Sequence, residues 1–193
     1  MQGISHIMIR VGVSSIFVAA WACTASAPPQ PAMLRDTRTP LQRMADSTER
    51  LVGSAAQMSD SAVVWVGLAA TDTVLSTLRE RLLTTREAVD RATTRLAEAA
   101  QQGEKVRLAI IEQTRGSRQA DDYEHYWLLG REKLILARAY SAEAVASADS
   151  ALVCPQAACA TSRARLLHTQ VNSASGAARE AESLVRVAMR FVY

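Results

Sequence analysis

Two groups of residues in this 193-residue chain could do chemistry: three cysteines, Cys23, Cys154 and Cys159, and the run Asp121-Asp122-Tyr123-Glu124-His125-Tyr126-Trp127. Asp121, Asp122, Glu124 and His125 are the right types for a metal site or an acid–base set. On a helix, however, neighbouring side chains point about 100° apart. Only Asp121 with His125, or Asp122 with His125, shares a face, so the run reads as a carboxylate-rich helix start with aromatics packing at a bundle end. His168 reads as a solvated histidine on a helix flank. In Cys154-Pro155-Gln156-Ala157-Ala158-Cys159 the gap is four residues, not the two of redox and zinc motifs. The loop carries no histidine or carboxylate. That pair is expected to form a disulfide. Haem-attachment, phosphate-loop and nucleophile-elbow motifs do not occur, and no catalytic, cofactor-binding or metal-ligating residue is assigned.

Cys23 has a different setting. Arg10 precedes an apolar run, Val11 to Ala22, which suits the core of a signal peptide and falls short of the roughly 20 residues of a spanning helix. Residues 1–22 therefore read as an export signal, and 23–38, with Pro28, Pro29 and Pro31, as a tether. Ala20-Trp21-Ala22-Cys23 resembles the lipid-attachment box of bacterial lipoproteins, with Ala20 in place of the usual leucine and Trp21 at the second position upstream. The resemblance implies an acyl anchor on Cys23. A second route stays open, in which a signal peptidase reads Cys23-Thr24-Ala25 and cuts before Ser26. Either route removes Cys23 from the pool of free thiols and leaves an even pair in a disulfide-permitting compartment.

The elements that must carry these residues are helical. No proline occurs between Pro40 and Pro155, the chain has two phenylalanines, and turn signals are too sparse for short strands. The fold class is all-α, an elongated antiparallel bundle or coiled-coil-like hairpin over residues 39–193. Thr39-Pro40 is an N-cap followed by proline in the first turn. Helices are expected at about 40–57, 60–116, 121–153 and 159–191, with Ser59-Asp60-Ser61 starting the second. A seven-residue repeat runs Leu68, Leu75, Leu82, Val89, Leu96, Gly103, Ile110. Gly103 reads as a soft point costing roughly 1 kcal/mol relative to alanine. Trp127, Gly130, Leu134, Ala137, Ser141, Ala144, Ala148 and Ala151 form one further seam. Leu167, Val171, Ala174, Ala178, Ala181, Val185, Ala188 and Val192 form the other, with Ala177 turned away. Seams so rich in small residues imply close helix approach.

Val63 to Ala70 is too short to cross a bilayer and reads as a segment buried on several sides. Twenty-two Lys and Arg against 19 Asp and Glu give a net charge of +3, and the cations are scattered along the chain. That distribution, with export, excludes nucleic acid as the expected partner. Arg38-Thr39-Pro40-Leu41-Gln42 is similar to the Leu-Thr-x-x-Gln element of small helical periplasmic stress chaperones, with Arg38 replacing the leucine and no second copy. Arg131-Glu132-Lys133-Leu134 with Ala137-Arg138 looks like the Ala-rich helical lipoproteins of bacterial envelopes. These resemblances imply a non-enzymatic envelope protein in the periplasm or on its membrane, anchored at Cys23. It would act through a protein partner or through self-association. The alternative is a chaperone-like or ligand-binding bundle.

Overall fold

The computed structural model describes residues 37–193. The expected export signal, Cys23 and nearly all of the expected tether lie outside the described residues. Among the described residues the chain forms four helices, α1 (Pro40–Ala69), α2 (Leu75–Gln113), α3 (Arg118–Leu152) and α4 (Ala157–Met189), then a single 3-10 turn, Arg190–Val192. Each helix runs antiparallel to the one before it, and α4 returns to lie against α1. Side-chain pairings fix the register. Arg107 reaches Glu124 across α2–α3, Lys133 reaches Glu180 across α3–α4, and Arg186 reaches Glu49 across α4–α1. No described helix is long and apolar enough to cross a membrane.

Local chemistry explains most boundaries. The Thr39 hydroxyl accepts from the Gln42 backbone N–H, and the Gln42 side chain accepts from the Thr39 N–H, which satisfies two otherwise orphaned donors at the start of α1. Gly116, at φ 75°, turns the chain between α2 and α3, and Ser117 then caps α3 by accepting from the Ala120 N–H.

The first two helices correct the expected boundaries. The expected break at 58–59 is helix, and the real turn is Ala70–Val74, inside the expected second helix. Ser59 and Ser61 donate back to the carbonyls of Ala55 and Gln57, the mid-helix use of residue types that also serve as caps. Asp60 accepts from both Nε and Nη2 of Arg179 and from the Ser175 hydroxyl, joining α1 to α4. At the real turn Thr71 donates to the Leu68 carbonyl and Arg81 pairs with Asp72 at 2.6 Å. Neither glycine nor proline marks it.

The seams of the second pair of helices stand as expected as far as Ala188, while Val192 falls in the 3-10 turn beyond α4 and is half-buried. All eight α3 positions are buried, as are those of α4 from Leu167 to Ala188. Ala177 departs from expectation and is buried too. The reason is position: α4 packs on α3, on α1 and diagonally on α2, so its buried face is wider than one seam. Small residues do bring α3 and α4 together. A Cβ built on Gly130 would lie 3.0 Å from Val185 Cγ2, a contact tighter than side chains ordinarily tolerate.

Candidate interaction face on helices α2 and α3

The acidic–aromatic run turns out to be a fastener. Trp127 is fully buried, and its ring fills the space left by the missing side chain of Gly103 on α2. A Cβ at Gly103 would lie 1.9 Å from Trp127 Cη2. The indole N–H donates to Glu104 at 3.2 Å, and the Tyr123 hydroxyl donates to the Gly103 carbonyl at 3.4 Å. Arg107 donates through Nε and Nη2 to Glu104, and through Nη1 to Glu124 at 2.7 Å. The Arg107 hydrogen bond holds the Glu104 carboxyl below the usual carboxylate range against the opposing effect of burial, with the Trp127 N–H assisting. Burial raises the Tyr123 hydroxyl well above the ordinary tyrosine value, and the Glu104 charge adds to it. Gly103 is therefore a socket rather than a soft point, which corrects the expectation drawn from helix propensity.

The remaining candidates disperse. Glu124 is committed to Arg107, while Asp121 and His125 are exposed, the His125 ring standing edge-on to Tyr126 at 5.2 Å. Among the described residues no three His, Cys, Asp or Glu side chains are grouped to hold a metal. His168 is half-buried instead of solvated, its Nε2 lying 3.7 Å from where a Cβ on Gly67 would stand. Cys154 and Cys159 are placed at disulfide distance, with Cα atoms 5.9 Å apart, joining the end of α3 to the first turn of α4. Arg79 of α2 donates to the Cys154 carbonyl at 3.0 Å, which ties this turn to the bundle. In the stretch Val63 to Ala70, Val66 and Ala69 are buried but Val64, Trp65 and Leu68 are exposed, so the segment faces the core on one side only.

With α3 fixed to α2 by the tryptophan and to α4 by small residues, its third face is set as well. At about 100° per residue, Leu128, Ile135, Ala139, Ala142 and Ala146 fall on one line opposite the buried Gly130, Ala137, Ala144 and Ala148. All five are exposed, Ile135 by 55% and Leu128 by 45%. Arg131 and Arg138 flank this line toward α2, and Glu132 and Glu143 flank it on the side of α4. On the α2 side an open groove of about 600 Å³ is lined by Gln101, Glu104, Lys105, Arg131, Ile135 and Arg138, among others. The seven-residue spacing of Leu128, Ile135 and Ala142 was visible in the sequence, but the inner seam of α3 drew the whole of the pattern.

The chain matches no family model, no curated protein and no solved structure.

Proposed function

We propose that the protein is a non-enzymatic helical bundle of a bacterial cell envelope, held at a membrane through an acyl group on Cys23, that works by presenting the outer face of α3 to another protein surface. The observation that carries the contact reading is a helix with two apolar faces. One face of α3 is sealed into the bundle, and the other runs for roughly 27 Å with alanine, leucine and isoleucine in water. The run Val11–Ala22 and the Cys23 context support the anchor. A chaperone-like reading would have to use the same outer surface, because the described interior is filled by Trp127, Tyr123 and the leucine and valine seams.

Cell fractionation tests the anchor. Full-length protein with Cys23→Ser should move from the membrane to the soluble fraction, because one acyl-bearing residue supplies the attachment. Unchanged partitioning, or a mature N-terminus beginning at Ser26, overturns it. Crosslinking in intact envelopes tests the contact face: Ile135→Asp should abolish the adducts that the wild-type protein forms, whereas Gln57→Asp, at an exposed position on α1 away from that face, should retain them. Adducts indifferent to Ile135→Asp overturn the assignment of the face.

A further inference from the structure

We propose that the occupant of the α3 face is a second copy of this chain, aligned parallel to the first. The inference rests on the reading of that face as a contact surface and adds the partner and its direction. Leu128, Ile135 and Ala142 are spaced by seven, with Ala139 between the last two and Ala146 after them, the spacing of a two-stranded coiled-coil seam. The flanks decide the orientation. Arg131 and Arg138 lie on one side of the seam, Glu132 and Glu143 lean to the other, all four are exposed, and none makes an ion pair among the described residues.

An antiparallel two-fold pairing about Ile135 brings the arginine flanks together, Arg131 beside the second copy's Arg138. A parallel two-fold brings each arginine flank against the partner copy's glutamate flank. Arg138 then meets the second copy's Glu143 five positions on, and Glu132 packs beside the second copy's Arg131, each contact occurring twice. The small residues in the last third of the seam let the backbones close over Ala139, Ala142 and Ala146. One seam of this length buries less than a standard interface, so the pairing is weak between free molecules. Parallel alignment also puts Thr37 of both copies at the same end, with the 14 residues from Cys23 to Asp36 ahead of each. Two anchors in one membrane are compatible with that arrangement, and shared attachment raises the effective concentration.

The test uses full-length protein in its own membranes, with one cysteine introduced at a time and gentle oxidation, and the unsubstituted protein as control. Leu128→Cys, Ile135→Cys and Ala142→Cys should each give a band of twice the protomer mass. Arg138→Glu in the Leu128→Cys background should weaken pairing about tenfold or more, since like charges are then opposed, and adding Glu143→Arg should restore it. Crosslinking only when Leu128→Cys and Ala142→Cys proteins are mixed would show antiparallel pairing and overturn the proposal. Adducts with other proteins and none with a second copy overturn it too, while leaving the contact face standing. No adduct of any kind from these positions overturns both. The circular dichroism of each variant, unchanged from wild type, shows that the bundle itself is intact.

Discussion

The two ends of the bundle are closed in opposite ways. Around the α2–α3 turn the core contains the largest buried side chains among the described residues, Trp127 and Tyr123, with Leu96, Val106, Ile110 and Met189 around them. Around the α1–α2 and α3–α4 turns the core is Ala62, Ala69, Ala144, Ala148, Ala151, Ala160 and Ala164 with a few leucines and valines, and a cysteine pair closes the last turn. One end relies on a bulky ring entering a gap, and its N–H donates to Glu104, which Arg107 holds in place. The other holds no buried aromatic ring: leucines and valines fill it between alanines that both ends share, and a cysteine crosslink closes its last turn. A bundle can therefore hold one topology with two different sources of stability along its length.

The sharpest way to break the contrast is at the socket. Trp127→Ala should cost about 3–5 kcal/mol in denaturant melts, the usual loss for a buried aromatic. Gly103→Ala alone should cost about 3 kcal/mol, because the new methyl group meets the ring. In the Trp127→Ala background the same glycine change should reverse sign and stabilise by up to about 1 kcal/mol, as helix propensity alone dictates. Equal effects of Gly103→Ala in both backgrounds would mean that the ring does not occupy that gap.

At the other end, replacing both Cys154 and Cys159 by Ser should cost about 2 kcal/mol, the loop-entropy value for so short a closure, with helicity retained. Alkylation of both thiols in folded, unreduced protein would show that the pair is open. The smallest effect is expected between the ends, at Ser141. Its hydroxyl is buried in the α3 seam without a hydrogen-bond partner, so Ser141→Ala should stabilise by about 1 kcal/mol. A loss of stability there would imply a partner for that hydroxyl.

How much of this was legible follows from the punctuation. Gly116-Ser117 and Pro155 mark their turns with residues that cannot continue a helix comfortably, and the seams of α3 and α4 between them could be read position by position. The α1–α2 turn has no such mark. Leu68 and Leu75 sit seven apart across it by coincidence of register, yet Leu68 is 42% exposed and the repeat begins in earnest at Leu78 and Leu82. Ser59-Asp60-Ser61 misled because a cap and a mid-helix tie to α4 use the same side chains. The socket was within reach in principle. Reflecting Trp127 through the turn at residues 115–116 lands beside Gly103, a large residue opposite the smallest one. Single-helix reasoning prices a glycine against alanine and never asks what faces it. The outer line of α3 was hidden for a related reason: a helix apolar on two faces has no single amphipathic direction to read.

The return of α4 onto α1 bears on the order in which the molecule assembles. Of the four larger helix–helix interfaces, three join chain neighbours and can zip outward from a short turn. The fourth links positions such as Asp60 and Arg179, 119 residues apart, and gains contact only after the others have shortened the path. Loop closure predicts that the α1–α4 interface forms last, with its Asp60 clamp as a latch on an otherwise local chain of hairpins. Asp60→Asn should accordingly speed unfolding and leave the folding rate nearly unchanged in stopped-flow measurements, since an interaction absent from the transition state is felt only on the way out.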